Sequence, residues 1–270
     1  MARSAHVKYT KRAGVIEITI QRGVRPVELD VLIGKLGAHR HSVEQSICTL
    51  VVRRKKRKLG NLKNVDFNKT YKSLKKFKDK GTLLDFGCGT GWFLEHARKT
   101  YEVAGFEPTR NLAKFTSNLL KIKVDSDISN FKSSSFDIIT AFDVIEHVAE
   151  PRETFKEFFK LLKKDGILLI YTPNANSIGF EYMMERQNNV TPPIHLHYFN
   201  EKSIKKLANK FFSSIYFETA GLDIGDIYAH ERDNGNIKFG RFLYDNYQIL
   251  QTFFDYMDSS NHLRAIFRKN

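Results

Sequence analysis

Cysteine and long apolar runs are what this 270-residue sequence has least of. Its two cysteines, Cys48 and Cys88, lack the short spacing of a metal knuckle or a disulfide framework. A reducing, cytoplasmic setting is the simplest reading. No apolar stretch approaches the roughly 20 residues that cross a bilayer. The N-terminus, MARSAHVKYTKR, is basic but lacks the apolar centre of a secretory signal. No internal repeat is evident, which argues against a solenoid or a propeller. Acidic residues are scarce in the first 80 positions, where 6 Asp and Glu face 21 Lys and Arg. The other 190 residues hold 24 acidic and 23 basic side chains, so the net charge of +14 belongs to a leader and not to the body.

What is present is the composition of a soluble globular domain, 41% apolar and 27% charged. From Gly81 onward strand-like and helix-like stretches alternate. TLLDF (82–86), YEVAGFE (101–107), FDIITAF (136–142) and GILLIYT (166–172) read as strands. Between them, Leu112, Phe115, Leu119 and Leu120 recur at helical spacing, as do Phe155, Phe158, Phe159 and Leu162, the latter helix ending at Asp165-Gly166. This predicts a Rossmann-like α/β fold: a doubly wound, mostly parallel sheet with helices on both faces and an antiparallel last strand, HLRAIFRK (262–269). EKSIKKLANKF (201–211) reads as helix, and IYFETAG and LDIGDIYA read as strands. NIKFGRFLYDNYQILQTFFDYM reads as an aromatic amphipathic helix packed on the sheet. The expected organisation is a basic leader over 1–61 and one domain over 62–270, with a lid at 174–200 and an aromatic insertion at 230–258. In the leader VIEITIQ alternates as a strand and VELDVLIGKL suits a short helix; TYKSLKKFK (70–78) suits a helix that caps the cleft.

The stretch LLDFGCGTGWFL (83–94) places three glycines at alternate positions between a strand and a helix start. Glycine costs conformational entropy, so three in five residues need a reason. Gly87 suits a tight turn, Gly89 lets a ligand touch main chain, and Gly91 lets helix and sheet close up. The spacing differs from the G-x-G-x-x-G of dinucleotide sites, and Asp85 ahead of it would repel a phosphate. About 20 residues on, Glu107 ends the next strand, where a carboxylate accepts hydrogen bonds from ribose hydroxyls. A ribose and a positive centre without phosphate describe S-adenosylmethionine.

These segments, with GFEP, FDIITAFDVIEHV, LLKKDGILLIYTPN and PPIHLHYF, resemble the successive signatures of class I S-adenosylmethionine-dependent methyltransferases. Within that class the sequence is most similar to the ubiquinone-type and small-molecule O-methyltransferases, over about Asp66 to Lys269. The resemblance implies that Asp85, Gly87, Gly89, Gly91 and Glu107 hold the methyl donor. It also implies that Asp127 contacts its adenine, with Asp125 as the rival, and that Ala141 and Phe142 pass its methionine part. The implied activity is O-methylation of a small hydroxylated metabolite or a glycan- or lipid-linked precursor. An RNA methyltransferase, Mg²⁺-dependent in one form, and a non-catalytic S-adenosylmethionine-binding scaffold are the alternatives.

Two histidine positions could take a proton from a hydroxyl near neutral pH, His147 in DVIEHV and His195 in PPIHLHYF. His147 could equally fix its loop, and His195 could equally anchor the lid; His197 ranks behind His195. The run Asp143-x-x-Glu146-His147 resembles the E-x-x-E-H arrangement with which some relatives hold Mg²⁺, and here the downstream His195 or His197 would complete it. Many relatives carry E-H without metal, so Mg²⁺ is an alternative and not the main reading. RRKKRK (53–58) would suit the phosphates of a nucleic acid or an anionic membrane. The absence of interleaved aromatics and the neutral body weigh against both.

Overall fold

A computed structural model describes residues 7–12, 15–20, 60–187, 189–221, 223–246, 249–250, 252 and 256–270. The chain divides into two compact units, Met1–Asn64 and Val65–Asn270. In the first, β1 (Val7–Arg12) pairs antiparallel with β2 (Val15–Ile20), which is where the VIEITIQ strand was expected. The expected helix VELDVLIGKL and the basic run 53–58 lie outside the described residues.

After helix α1 (Gly60–Phe77), the second unit is built on a seven-stranded sheet. Its strands are β3 (Thr82–Phe86), β4 (Glu102–Phe106), β5 (Val124–Asp125), β6 (Phe136–Phe142), β7 (Leu162–Pro173), β8 (Phe212–Ala220) and β9 (His262–Lys269). They lie in the order β5-β4-β3-β6-β7-β9-β8. β3 through β7 are parallel, while β9 runs antiparallel to both β7 and β8. The fold is thus the Rossmann-like sheet expected. Its central strands read as continuous apolar runs because both of their faces are covered. One face carries Leu84, Ile139, Leu168 and Phe267 under α4 (Pro151–Leu161) and α6 (Glu201–Ala208); the other carries Leu83, Ile138, Leu169 and Ile266 with Phe93 and Leu94 of α2 (Trp92–Ala97).

Several elements differ from the expectation. α4 stops at Leu161, and Leu162 already starts β7; Asp165, with φ of 58°, and Gly166 form a bulge inside the strand and not a helix cap. In α3 (Arg110–Leu120) the buried positions are Ala113, Thr116 and Leu120, while Leu119 is exposed, because the inward face is the one whose Thr116 and Leu120 close on Gly91. LDIGDIYA is not a strand. It lies in α7 (Asp223–Asp233), where Ile224 and Ile227, three apart, are buried against Met183 of α5 (Ile178–Met183). Of the aromatic stretch, residues 247, 248, 251 and 253–255 lie outside the described residues, and Ile237–Asp245 forms α8, which among the described residues rests on α7 and α5 through Leu243 and Gly240. Its Ile237, Phe239, Phe242 and Tyr244 are exposed. The region 174–200 is more ordered than an irregular loop: it holds α5, a short 3₁₀ turn at Met184–Arg186 and a parallel bridge between Asn174 and Phe199. In α1, Leu74 joins the core, Tyr71 packs on His96 and Tyr101, and Phe77 packs on Tyr216.

Candidate functional site

The carboxyl ends of β3 and β4 carry the glycine loop. Gly87 and Cys88 both donate their N–H to Phe106 O, at 2.8 and 3.0 Å, which folds the loop back over β4. Gly91 has φ of 76°, and a Cβ there would come within 2.5 Å of Leu120 and 2.8 Å of Thr116. It is bare because α3 closes on it. Gly89, at φ of 51°, has no neighbouring heavy atom within 4 Å of where its Cβ would stand. Here the main chain faces open space, which is the surface a ligand can approach. The Thr116 hydroxyl donates to Gly89 O at 2.7 Å and fixes the loop from beneath.

Glu107, buried at the end of β4, accepts from Gly89 N–H through Oε2 (3.1 Å) and from Thr109 N–H through Oε1 (3.0 Å). Each carboxylate oxygen keeps a second lone pair for a further donor. Asp85 is buried and accepts from the Thr140 hydroxyl at 2.7 Å, across the β3–β6 pair. Burial pushes its pKa up to about 7, the Thr140 bond works against that rise, and the charge of Glu107 adds to it. A cation entering beside this carboxyl would ionise it. Bare main chain, a buried carboxylate with lone pairs to spare and a buried acid of raised pKa are compatible with the methyl donor S-adenosylmethionine.

Asp127 caps the 3₁₀ turn Ile128–Asn130, its Oδ1 accepting from both N–H and hydroxyl of Ser129. These bonds hold its carboxyl below the usual range. Asp125 accepts from Asp127 N–H and from the Asn130 amide. Asp125 ends β5 and Asp127 stands just past it, on the side of the cradle away from β6. Ala141 is buried in the core, and Phe142 lies on the other sheet face, its ring 4.7 Å from Phe93 and 6.0 Å from Tyr171.

On the β6 side, the turn after Phe142 and the lid segment 191–197 meet. Glu146 is the hinge of that contact. Its carbonyl oxygen accepts from Leu196 N–H (2.8 Å) and His197 N–H (3.2 Å). Its buried carboxyl accepts from the Thr172 hydroxyl at 3.0 Å through Oε2, while Oε1 has no partner. Burial, reinforced by Asp143, pushes the Glu146 pKa up to about 8. His147 Nδ1 lies 3.0 Å from Ile194 O, and His195 Nδ1 lies 2.7 Å from Asn189 O. The two rings meet edge to face at 4.6 Å. Desolvation, opposed by the bond to Asn189 O and aided by His147, holds His195 below its ordinary pKa. The structure therefore brings His147 and His195 together, with His197 close behind on the same strand of lid.

Glu146, His147 and His195 place one ligand atom each within 4.8 Å of one another. Among the described residues Asp143 is outside that group; its carboxylate faces His262 instead. One carboxylate and two imidazoles form a donor set for a metal such as Zn²⁺ or Fe²⁺, whereas Mg²⁺ calls for oxygen ligands. The set does not fit Mg²⁺.

Sequence reading missed Thr140, Thr172 and the pair Asn261–His262. For the last there was a signal: in HLRAIFRK, Leu263, Ala265 and Phe267 take one face, which leaves His262 and Arg264 on the other face of an interior strand.

The strand order, the glycine loop and the carboxylate one strand over define the class I S-adenosylmethionine-dependent methyltransferase fold. The chain belongs to a methyltransferase domain family, whose model matches residues 55–211. A ubiquinone biosynthesis O-methyltransferase of Pelagibacter ubique is 31% identical over 139 residues, covering 46% of this chain and 56% of that protein. The chain thus spans about half the length of the curated relatives it matches. A solved S-adenosylmethionine-dependent methyltransferase from Archaeoglobus fulgidus has a TM-score of 0.53 at 16% identity, covering 82% of this chain and 99% of that one. The solved [4+2]-cyclase SpnF has a TM-score of 0.50 at 16% identity, over 74% of this chain and 80% of its own. Among the described residues no helix is long and apolar enough to cross a membrane.

Proposed function

We propose that this protein methylates a hydroxyl of a small acceptor, using S-adenosylmethionine held in the glycine cradle. The observation that carries the reading is the pairing of Glu107 with Gly89: a buried carboxylate and a bare, left-handed backbone position meet at the mouth of β3 and β4. S-adenosylmethionine supplies an electrophilic methyl group when bound. Glu107 orients the sugar, and Gly89 lets the nucleoside lie against main chain. Phe142, at the end of β6, packs on Phe93 beside the cradle's helix α2. On that side the turn 143–147, closed by the lid at Glu146, receives the acceptor and keeps water away, so that positioning supplies much of the rate. The similarity to ubiquinone biosynthesis O-methyltransferases supports oxygen as the methylated atom and a small hydroxylated molecule as the acceptor class.

A second reading, donor binding without methyl transfer, draws on the shared fold of SpnF, which is named for a cyclisation and not for methyl transfer, since fold alone does not fix chemistry. Calorimetry with S-adenosylhomocysteine, followed by methyl transfer to catechol and 3,4-dihydroxybenzoate, separates the two. Binding with transfer supports the enzyme; binding without transfer to either supports the alternative.

A further inference from the structure

His262 opens β9 at the carboxyl edge of the sheet, opposite Pro173 of β7 and Ala220 of β8. Its ring stacks on Tyr171 with centroids 4.7 Å apart and planes within 11°. Nδ1 lies 2.7 Å from Asn261 Oδ1. A carbonyl oxygen only accepts, so Nδ1 carries the hydrogen and the lone pair is on Nε2. Nε2 lies 3.7 Å from Asp143 Oδ1. That is ion-pair range for an imidazolium and too long for a hydrogen bond.

Both neighbours are held in place. Asn261 gives its backbone oxygen to Asn174 N–H at 2.8 Å, and a Cβ on Gly221 would come within 1.7 Å of Asn261 Oδ1. Only glycine at 221 leaves that amide its place. Asp143 sits at φ of 52°, its N–H bonded to Tyr171 O at 2.9 Å, so the carboxylate projects from the end of β6. The Asp143 side chain is 58% exposed and that of His262 18%, so the gap between them can be reached from outside.

We propose that His262 is the group that takes the proton from the acceptor hydroxyl, oriented by Asn261 and compensated by Asp143. This rests on the hydroxyl-methylation reading above. As the acceptor oxygen forms its bond to the methyl carbon, the pair of the carbon–sulfur bond leaves with sulfur. The O–H pair returns to oxygen, and the proton passes to Nε2. The imidazolium so formed lies beside a carboxylate. Burial holds the His262 pKa below its ordinary value; of the charged groups that act on it, Asp143 favours its protonation, while His195 and Arg264 oppose it.

The test uses the full chain labelled with ¹⁵N at histidine. The ring nitrogen shifts of His262 are expected to report the Nδ1–H tautomer, and Asp143→Asn is expected to lower its titration midpoint by about half a unit or more. The opposite tautomer, or an unmoved midpoint, overturns the proposal without touching the cofactor reading. In parallel, His262→Gln is expected to lower kcat for catechol at least tenfold while S-adenosylhomocysteine affinity stays within twofold, with added imidazole restoring part of the rate. Undiminished kcat in His262→Gln overturns this base alone. A wild type that binds S-adenosylhomocysteine yet methylates neither catechol nor 3,4-dihydroxybenzoate overturns the hydroxyl reading, and this inference with it.

Discussion

Glu107 grips Gly89. One carboxylate oxygen accepts the glycine's N–H at 3.1 Å while the other accepts Thr109 N–H at 3.0 Å, so the acid that would bind a sugar also fixes the loop beneath it. Hydrogen bonds to a charged group contribute about 1.5–3 kcal/mol each. Glu107→Ala is therefore expected to weaken S-adenosylhomocysteine binding at least a hundredfold by calorimetry. Unchanged affinity would remove the ribose assignment.

The loop glycines separate folding from binding. At Gly91 an added methyl meets Leu120 and Thr116 in a left-handed backbone, so Gly91→Ala is expected to cost about 2 kcal/mol or more in urea unfolding. At Gly89 a methyl meets nothing, and the cost is only the roughly 1 kcal/mol of the left-handed conformation. Gly89→Ala should stay folded and lose cofactor affinity. Equal binding by Gly89→Ala and the wild type would show that the ligand does not lie on this main chain.

Two buried acids set a pH dependence of stability. Asp85 and Glu146 have folded pKa values of about 7 and about 8, raised above their ordinary values by burial. Between pH 4 and 8 the folded protein keeps protons that the unfolded chain has released, so stability falls as pH rises through that window and levels off above it. The lowered acids Asp125, Asp127 and Asp137 act in the opposite sense only below about pH 4, and His96, His195 and His262, all held below their ordinary pKa, do so only below about pH 6.5. Thermal unfolding is expected to show a lower Tm at about pH 8 than at about pH 6.5, with a smaller difference in Glu146→Gln. A Tm that rises over that range would contradict the assignment.

Because the Glu146–His147–His195 group offers a single carboxylate, Mg²⁺ is not expected to matter. Methyl transfer to catechol should stay within twofold after dialysis against EDTA and after addition of Mg²⁺. A loss restored by Mg²⁺ would bring Asp143 back as a ligand.

Arg264 is fully buried and ion-pairs with Glu218, its guanidinium over the Tyr171 ring. Removing the carboxylate leaves a buried cation short of its counter-charge, a loss of about 3 kcal/mol. Glu218→Ala should lower the denaturation midpoint accordingly, and Arg264→Met, which leaves a half-exposed carboxylate in contact with water, should cost less.

The legible parts of this chain are those whose cause is local. FDIITAF and HLRAIFRK match their strands residue for residue, since a strand covered on both faces or alternating across one has a period that can be counted. The glycine loop is legible because its chemistry is contiguous. LDIGDIYA misled because eight residues with apolar positions at Ile224 and Ile227 fit alternation loosely, and only Met183 and Leu243, distant in sequence, show which face is inward. The acceptor side was half legible. His147 and His195 were named, but the partners that decide their chemistry come from other strands. Thr172 meets Glu146, and His262 meets Asp143, only because β6, β7 and β9 lie side by side in that register.

The strand order also sorts the molecule by task. Everything that would grip the donor is complete by Phe142, whereas the lid, α5, α7 and α8 all follow Pro173 and hang from the far half of the sheet. New acceptors can thus be acquired by rewriting the stretch from Asn174 to Asn261 against an unchanged turn 143–147, with the nucleoside half inherited intact. A chimera joined at those two points is the natural unit of exchange for this architecture.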